Sequence, residues 1–146
     1  PIVVPREPSM FVHRRQVHIE WGDCAPAGIV FYPRYFAICD AGTHALFEAV
    51  FPPGMRYFEH YGVLGYPLVN ARCEFRIPSS WGDDLTVESH VAEWRNSSFS
   101  VEHKFFKGER LALEGFETRV WAAKHPDDPR RIVSRPIPQD LMDRFK

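Results

Sequence analysis

The sequence predicts an α+β domain, one long helix led by a strand and followed by four or five antiparallel strands. Two patterns carry that expectation. Arg34 to Val50 sets Tyr35, Ile38, Cys39, Gly42, Ala45, Leu46 and Ala49 at helical spacing, with no breaker before Pro52-Pro53. The second half of the chain instead repeats with a period of two, the mark of strands. Thirteen prolines add turn signals, and 14% aromatic residues supply large rings for a core.

Residues 1–10 hold three prolines and no period, and read as an extended arm ahead of a single domain at 11–146. Phe11 to Glu20 alternates weakly, more clearly in its second half, and predicts the leading strand. Pro26 and Gly28 then force an irregular turn, and Pro33 suits the first turn of the helix, where its missing N–H costs nothing. Gly42, Ala45 and Ala49 keep one helix face slim, so a sheet can approach closely and curl around it. A short helix is expected at Met55 to Tyr61, and a strand at Pro67 to Ile77. Leu85, Val87, Ser89 and Val91 alternate with polar neighbours, as do Phe99, Val101, His103 and Phe105. Asn96-Ser97 and Lys107-Gly108 mark hairpin turns, and Leu111 to Ala123 reads as one long strand. Pro126 to Pro129 reads as a solvated loop, and Pro138 to Lys146 as a closing helical turn.

At 146 residues the chain can bury a core without disulfides or metal. Its net charge of −1 offers no clustered basic face for nucleic acid, so an anionic ligand must be held locally. Cys24, Cys39 and Cys73 are odd in number and widely spaced, which fits a reducing cytoplasm, and Cys24 reads as packing rather than a nucleophile. His13, His18, His90 and His103 lie in strands without ligand spacing, so no metal is expected. No apolar run is long enough to span a bilayer, and Pro1 to Met10 lacks a signal-peptide core; a soluble, unprocessed cytoplasmic protein is expected.

The junction Gly22 to Tyr35 carries the chemistry. It joins a strand to a helix through small residues, which places backbone amides against a ligand. Where a reaction builds negative charge on a carbonyl oxygen, the free N–H groups of a helix N-terminus answer it; the amides of Phe31 and Tyr32 stand at that position. Such chemistry also needs a carboxylate or base. Asp23 is the nearest carboxylate, although aspartate in a turn commonly bonds loop amides instead. Asp40 and His44 lie four residues apart on one helix face, where a carboxylate can orient an imidazole, and Glu48 continues the stripe. Arg130, Arg131 and Arg135 form a local basic patch.

Gly22-Asp23-Cys24-Ala25-Pro26-Ala27-Gly28-Ile29-Val30-Phe31-Tyr32-Pro33-Arg34-Tyr35 closely resembles the active-site segment of the 4-hydroxybenzoyl-CoA thioesterase family, roughly Gly-Asp-x-Asp-Pro-Ala-Gly-Ile-Val-x-Tyr-Pro-x-Tyr. Gly65-Tyr66-Pro67, Trp81 to Glu88 and Glu93 to Phe99 extend the resemblance from about Val17 to about Pro136. It implies the hot-dog fold, a curved antiparallel sheet wrapped around one central helix. It also implies acyl-CoA hydrolysis without a cofactor beyond the substrate's CoA, and a homodimer or homotetramer with sites between subunits, where Asp23, Tyr32 and Asp40 of one chain face Tyr66 or Arg95 of its neighbour. By resemblance the Tyr32 amide is the oxyanion donor, Asp40 meets the aromatic end of the acyl group, and Arg95 and Arg131 meet CoA phosphates.

The sequence departs from the pattern at its centre. The family's catalytic aspartate falls on Ala25, a tryptophan falls on Gly54, and a threonine falls on Tyr66. The resulting expectation is hydrolysis of an aryl-CoA or short acyl-CoA thioester, with Asp23, Tyr32, Asp40 and His44 catalytic and Ala25, Gly28, Tyr66, Arg95 and Arg131 at the substrate. The rivals are a non-catalytic acyl-CoA or aryl-ligand binding protein that kept the pocket, and a hot-dog enzyme of another reaction such as a dehydratase.

Overall fold

A computed structural model describes residues 10–146; the expected arm, except for Met10, lies outside the described residues. Strand β1 (His13–His18) leads into a 3-10 turn at Trp21–Asp23. Helix α1 (Pro33–Ala49) starts on the proline, whose fixed φ suits a first turn, and ends shortly before Pro52-Pro53. A short α2 (Tyr57–Tyr61) stops on Gly62, whose φ of +68° is the left-handed stop that favours glycine. Four long strands follow: β2 (Leu68–Phe75), β3 (Asp84–Trp94), β4 (Ser98–Lys107) and β5 (Arg110–Val120). A hairpin of β6 (Ala122–Lys124) and β7 (Ile132–Ser134) and a closing α3 (Gln139–Asp143) complete the chain.

The five long strands form one antiparallel sheet in the order β1-β3-β4-β5-β2, with α1 packed against it. The expected strand from Leu111 to Ala123 is two elements. At Trp121 the chain leaves the sheet, its amide donating to the Ser97 carbonyl at 2.8 Å, and Ala122–Lys124 pairs with β7 instead. Among the described residues no helix is long and apolar enough to cross a membrane, and no group of His, Cys, Asp and Glu is placed to hold a metal.

The core divides in two. One cluster gathers Leu46, Phe47, Phe99, Val101 and Trp121, and the other Ile19, Tyr35, Cys39, Leu85, Val87, Phe105 and Leu113. Between them runs a buried polar belt of Thr43, Ser89, His103 and Glu117. Helix α1 reaches it because Gly42 has no side chain: a Cβ there would lie 3.0 Å from both His103 Nδ1 and Ser89 Oγ. Gly115 is as tightly covered, since its Cβ would meet Cys39 Sγ at 2.5 Å. Of the expected slim face only Gly42 meets the sheet; Ala45 is half-buried and Ala49 is exposed.

Candidate functional site

The loop before α1 is a small hairpin pinned by its own backbone. Ala25 donates to the Ile29 carbonyl at 2.8 Å, and Gly28 donates back to Ala25 at 2.8 Å. Gly28 sits at φ +85°, a conformation that favours glycine. Val30 and Trp81 donate to Ser79 and Gly28, tying the hairpin to the segment before β3. Asp23 caps the 3-10 turn, its Oδ2 accepting the Glu20 amide at 2.9 Å, which is the structural role its residue type favours. Its carbonyl also takes the Phe31 amide at 2.8 Å. Of the two amides expected to be free, Phe31 is thus committed to the loop, while the Tyr32 amide has no acceptor among the described residues. Beside it opens a groove of about 450 Å³ lined by Ile29, Val30, Tyr32, Tyr35, Phe75 and Ile77.

At the other end of the seam between α1 and β2 lies a cavity of about 500 Å³, walled by Phe58, Leu64, Tyr66 and Ile132 with Asp40, His44 and Arg119. Asp40 and His44 share this cavity without forming the expected dyad. Asp40 Oδ1 accepts from Arg119 Nη2 at 2.7 Å, whereas His44 pairs through Nε2 with Glu48 at 3.0 Å and faces the Tyr66 hydroxyl at 3.5 Å. The one-turn spacing let either carboxylate reach the imidazole, and the buried guanidinium captured Asp40. Burial pushes the Tyr66 phenol up, so it stays neutral near pH 7. Asp40 and Tyr66 line the same cavity and are both held by Arg119.

Arg119 connects this cavity to the belt. Its guanidinium holds Glu117 through Nε and Nη2 at 3.3 and 2.9 Å, and donates to the Tyr66 carbonyl at 3.2 Å. Glu117 also accepts from His103 Nε2 at 3.1 Å and from the Thr43 hydroxyl, while His103 Nδ1 lies 2.7 Å from Ser89 Oγ. Burial alone would raise the Glu117 carboxyl, but the hydrogen bonds from His103, Arg119 and Thr43 outweigh it and hold it at about 2.

Comparison with known proteins adds the chemistry to this geometry. Residues 19–145 match the family model described as the thioesterase-like superfamily. The chain belongs to this superfamily. The 4-hydroxybenzoyl-CoA thioesterase of Pseudomonas sp. (strain CBS-3) is 33% identical over 134 residues, 88% of this chain and 93% of that protein. A 1,4-dihydroxy-2-naphthoyl-CoA hydrolase of Trichodesmium erythraeum is 30% identical over 99 residues, covering 68% of this chain and 70% of its own. Among solved structures, a mutant 4-hydroxybenzoyl CoA thioesterase complexed with 4-hydroxybenzoyl CoA superposes with a TM-score of 0.83 at 31% identity, covering 92% of this chain and 99% of that one. A gentisyl-coenzyme A thioesterase gives 0.75 at 29%, covering 91% and 98%. The fold is the hot-dog fold of these thioesterases.

Within this superfamily fold the site residues read from sequence fall into three places. Asp23, Ala25, Gly28 and Tyr32 make the loop, and Asp40, His44 and Tyr66 make the cavity. Arg95 and Arg131 line neither. Arg95 is fixed at the β3–β4 turn by Ser98 and Ser100, both at 2.8 Å, and by Glu93 at 2.9 Å; Arg131 is exposed on the loop before β7. Sequence reasoning missed Arg119, Glu117 and the inward role of His103. The signal was present, because His103 continues the inward stripe of Phe99, Val101 and Phe105, and Gly115, Glu117 and Arg119 share one face of β5.

Proposed function

We propose that this protein hydrolyses the thioester of an aryl-CoA or short acyl-CoA to the free acid and CoA, with the carbonyl oxygen at the Tyr32 amide and the far end of the acyl group at Asp40. The observation that carries this reading is the placement of both groups on one helix. Eight residues at ~1.5 Å each set Tyr32 and Asp40 ~12 Å apart along the helix, a span on the scale of a compact aryl thioester. The named substrates of the relatives, hydroxybenzoyl, dihydroxynaphthoyl and gentisyl thioesters, are compact aryl groups of this kind.

The Tyr32 amide carries the developing oxyanion with the dipole of α1 behind it. His44 stands twelve residues along the helix, ~18 Å from Tyr32, too far to activate water at a carbonyl held there. Asp23 spends its carboxylate on the Glu20 amide, and Ala25 brings none. The native site therefore orients the thioester and stabilises charge without a strong base, and turns over slowly. CoA phosphates meet Arg131 and Arg95, and no cofactor beyond CoA takes part. Strand β2 is a sheet edge that exposes Leu68, Val69 and Phe75, and a second copy of the chain covers it in a cytoplasmic homodimer or homotetramer.

The test is release of free CoA, trapped with a thiol dye, from a panel of aryl and short acyl-CoA esters. Release from at least one aryl ester above the buffer rate is expected. Tight CoA-ester binding with no release across the panel would convert the reading to that of a binding protein.

A further inference from the structure

The acyl cavity is built on a buried ionic chain whose two central members, Glu117 and Arg119, come from β5. Arg119 is almost wholly buried, with 4% of its side chain exposed, yet its guanidinium touches both walls of the cavity. On the α1 side Nη2 holds Asp40 Oδ1 at 2.7 Å, and on the side of residues 64–67 Nη1 donates to the Tyr66 carbonyl at 3.2 Å, with the Tyr66 ring 5.2 Å from the guanidinium carbon. Asp40 itself is 70% exposed and has no other partner among the described residues. An exposed aspartate on a helix ordinarily samples several rotamers at little cost.

The guanidinium is in turn held from below. Glu117 grips it in a two-point fork, and Glu117 is fixed by His103 and Thr43, with Ser89 closing the chain against His103 Nδ1. Removing water from a cation requires fixed acceptors, and the fork supplies them in a plane that only a guanidinium matches.

We propose that Arg119 is the positioning residue of the acyl cavity: anchored by Glu117, His103 and Ser89, it locks the Asp40 carboxylate and the Tyr66 backbone at a fixed separation, so that Asp40 presents one oriented acceptor to the far end of the acyl group. The selectivity that follows rests on the function proposed above; the locking itself does not. Acyl groups with a hydrogen-bond donor at that end, a phenolic hydroxyl above all, gain from the fixed acceptor. Groups ending in hydrogen gain nothing, and those ending in a carboxylate are repelled.

Two measurements test this on the full chain with Arg119→Lys, Asp40→Asn and their double variant, with Glu117→Gln in reserve should the lysine variant fail to fold. Lysine keeps the charge but cannot span Asp40, Glu117 and the Tyr66 carbonyl in one plane. Ligand-free crystal structures are expected to show Asp40 in a different rotamer in Arg119→Lys; an unmoved Asp40 and an unchanged distance to Tyr66 overturn the proposal whatever the protein binds. In solution, the preference for 4-hydroxybenzoyl-CoA over benzoyl-CoA, measured as a ratio of dissociation constants, is expected to fall roughly 10-fold in Arg119→Lys, the scale of one charge-assisted hydrogen bond. The same replacement in the Asp40→Asn background should leave the ratio within about 2-fold, because the effect runs through Asp40. An equal loss in both backgrounds makes Arg119 a structural residue only. If the unmodified protein binds neither ester, the function proposed above falls, and the crystal comparison alone decides whether Arg119 locks the two walls.

Discussion

The Cys39 sulfur occupies the space that a side chain on Gly115 would need, 2.5 Å from where its Cβ would stand. Cys39 is buried on α1, and Gly115 sits in β5 opposite His103 and Cys73. Gly115→Ala should cost about 1 to 3 kcal/mol, the range for overpacking a filled core, measured as a shift in the denaturant midpoint at constant slope. Most of that loss should disappear in a Cys39→Ala background, which reopens the space. Equal costs in both backgrounds would place the strain elsewhere.

Stability should fall in acid in a range set by Glu117. Its carboxyl is held at about 2, below its ordinary value of 4.5, so the stabilisation is complete above the higher value and is lost as pH drops toward the lower. The difference corresponds to roughly 3 kcal/mol. Denaturant midpoints of Glu117→Gln should lie below those of the unmodified protein at pH 6 and should vary less between about pH 4.5 and 2. A midpoint that falls as steeply in the variant would assign the acid sensitivity to other carboxylates.

The loop makes opposite forecasts for its two neighbouring positions. Ala25→Asp adds a carboxylate beside the loop whose Tyr32 amide is proposed to hold the oxyanion, and should raise turnover on an aryl-CoA by ~100-fold or more, the lower range for a positioned acid or base. Asp23→Asn should lower thermal stability by ~1 kcal/mol, the scale of a capping bond to the Glu20 amide, with a smaller effect on turnover. Should Asp23→Asn abolish turnover while Ala25→Asp does nothing, the base is Asp23 after all.

Replacing the arginines offered to CoA should separate them. Arg131 is exposed, and its alanine variant should weaken CoA binding by about 1 to 3 kcal/mol with folding intact. Arg95 already spends its donors on Ser98, Ser100 and Glu93, so Arg95→Ala should weaken CoA binding and also loosen the β3–β4 turn. Isothermal titration with CoA and melting curves read the two effects; unchanged affinity in both variants removes the assignment.

Much of this architecture was legible in the chain. Helix α1 announced itself through its apolar spacing and Pro33, and β3 and β4 through strict alternation, because each element's burial is a one-dimensional pattern. The break at Trp121 was not legible, since an apolar residue after a strand reads as more strand until the backbone partner at Ser97 is known. The same limit applied to the site. Asp40, His44 and Tyr66 were found by type and spacing, but which carboxylate pairs with which base depends on Arg119, seventy-nine residues away from Asp40 in sequence. A long-range ion pair leaves no periodic trace.

The polar belt also governs how the strands find one another. His103 stands opposite Ser89 on one side and Gly115 on the other, and Glu117 lies two residues further along β5. Sliding β4 by two residues against β5 keeps every apolar side chain facing inward, so the hydrophobic pattern alone tolerates the error. A slip that sets Val101 opposite Gly115 carries His103 to Leu113 and away from Glu117, leaving a buried carboxylate short of a partner, while the opposite slip sets the Phe105 position opposite Gly115 and takes His103 away from Ser89 and Gly115. An unpaired buried charge costs several kcal/mol. The belt thus acts as a registration mark, rejecting slipped sheets that oil-like packing would accept.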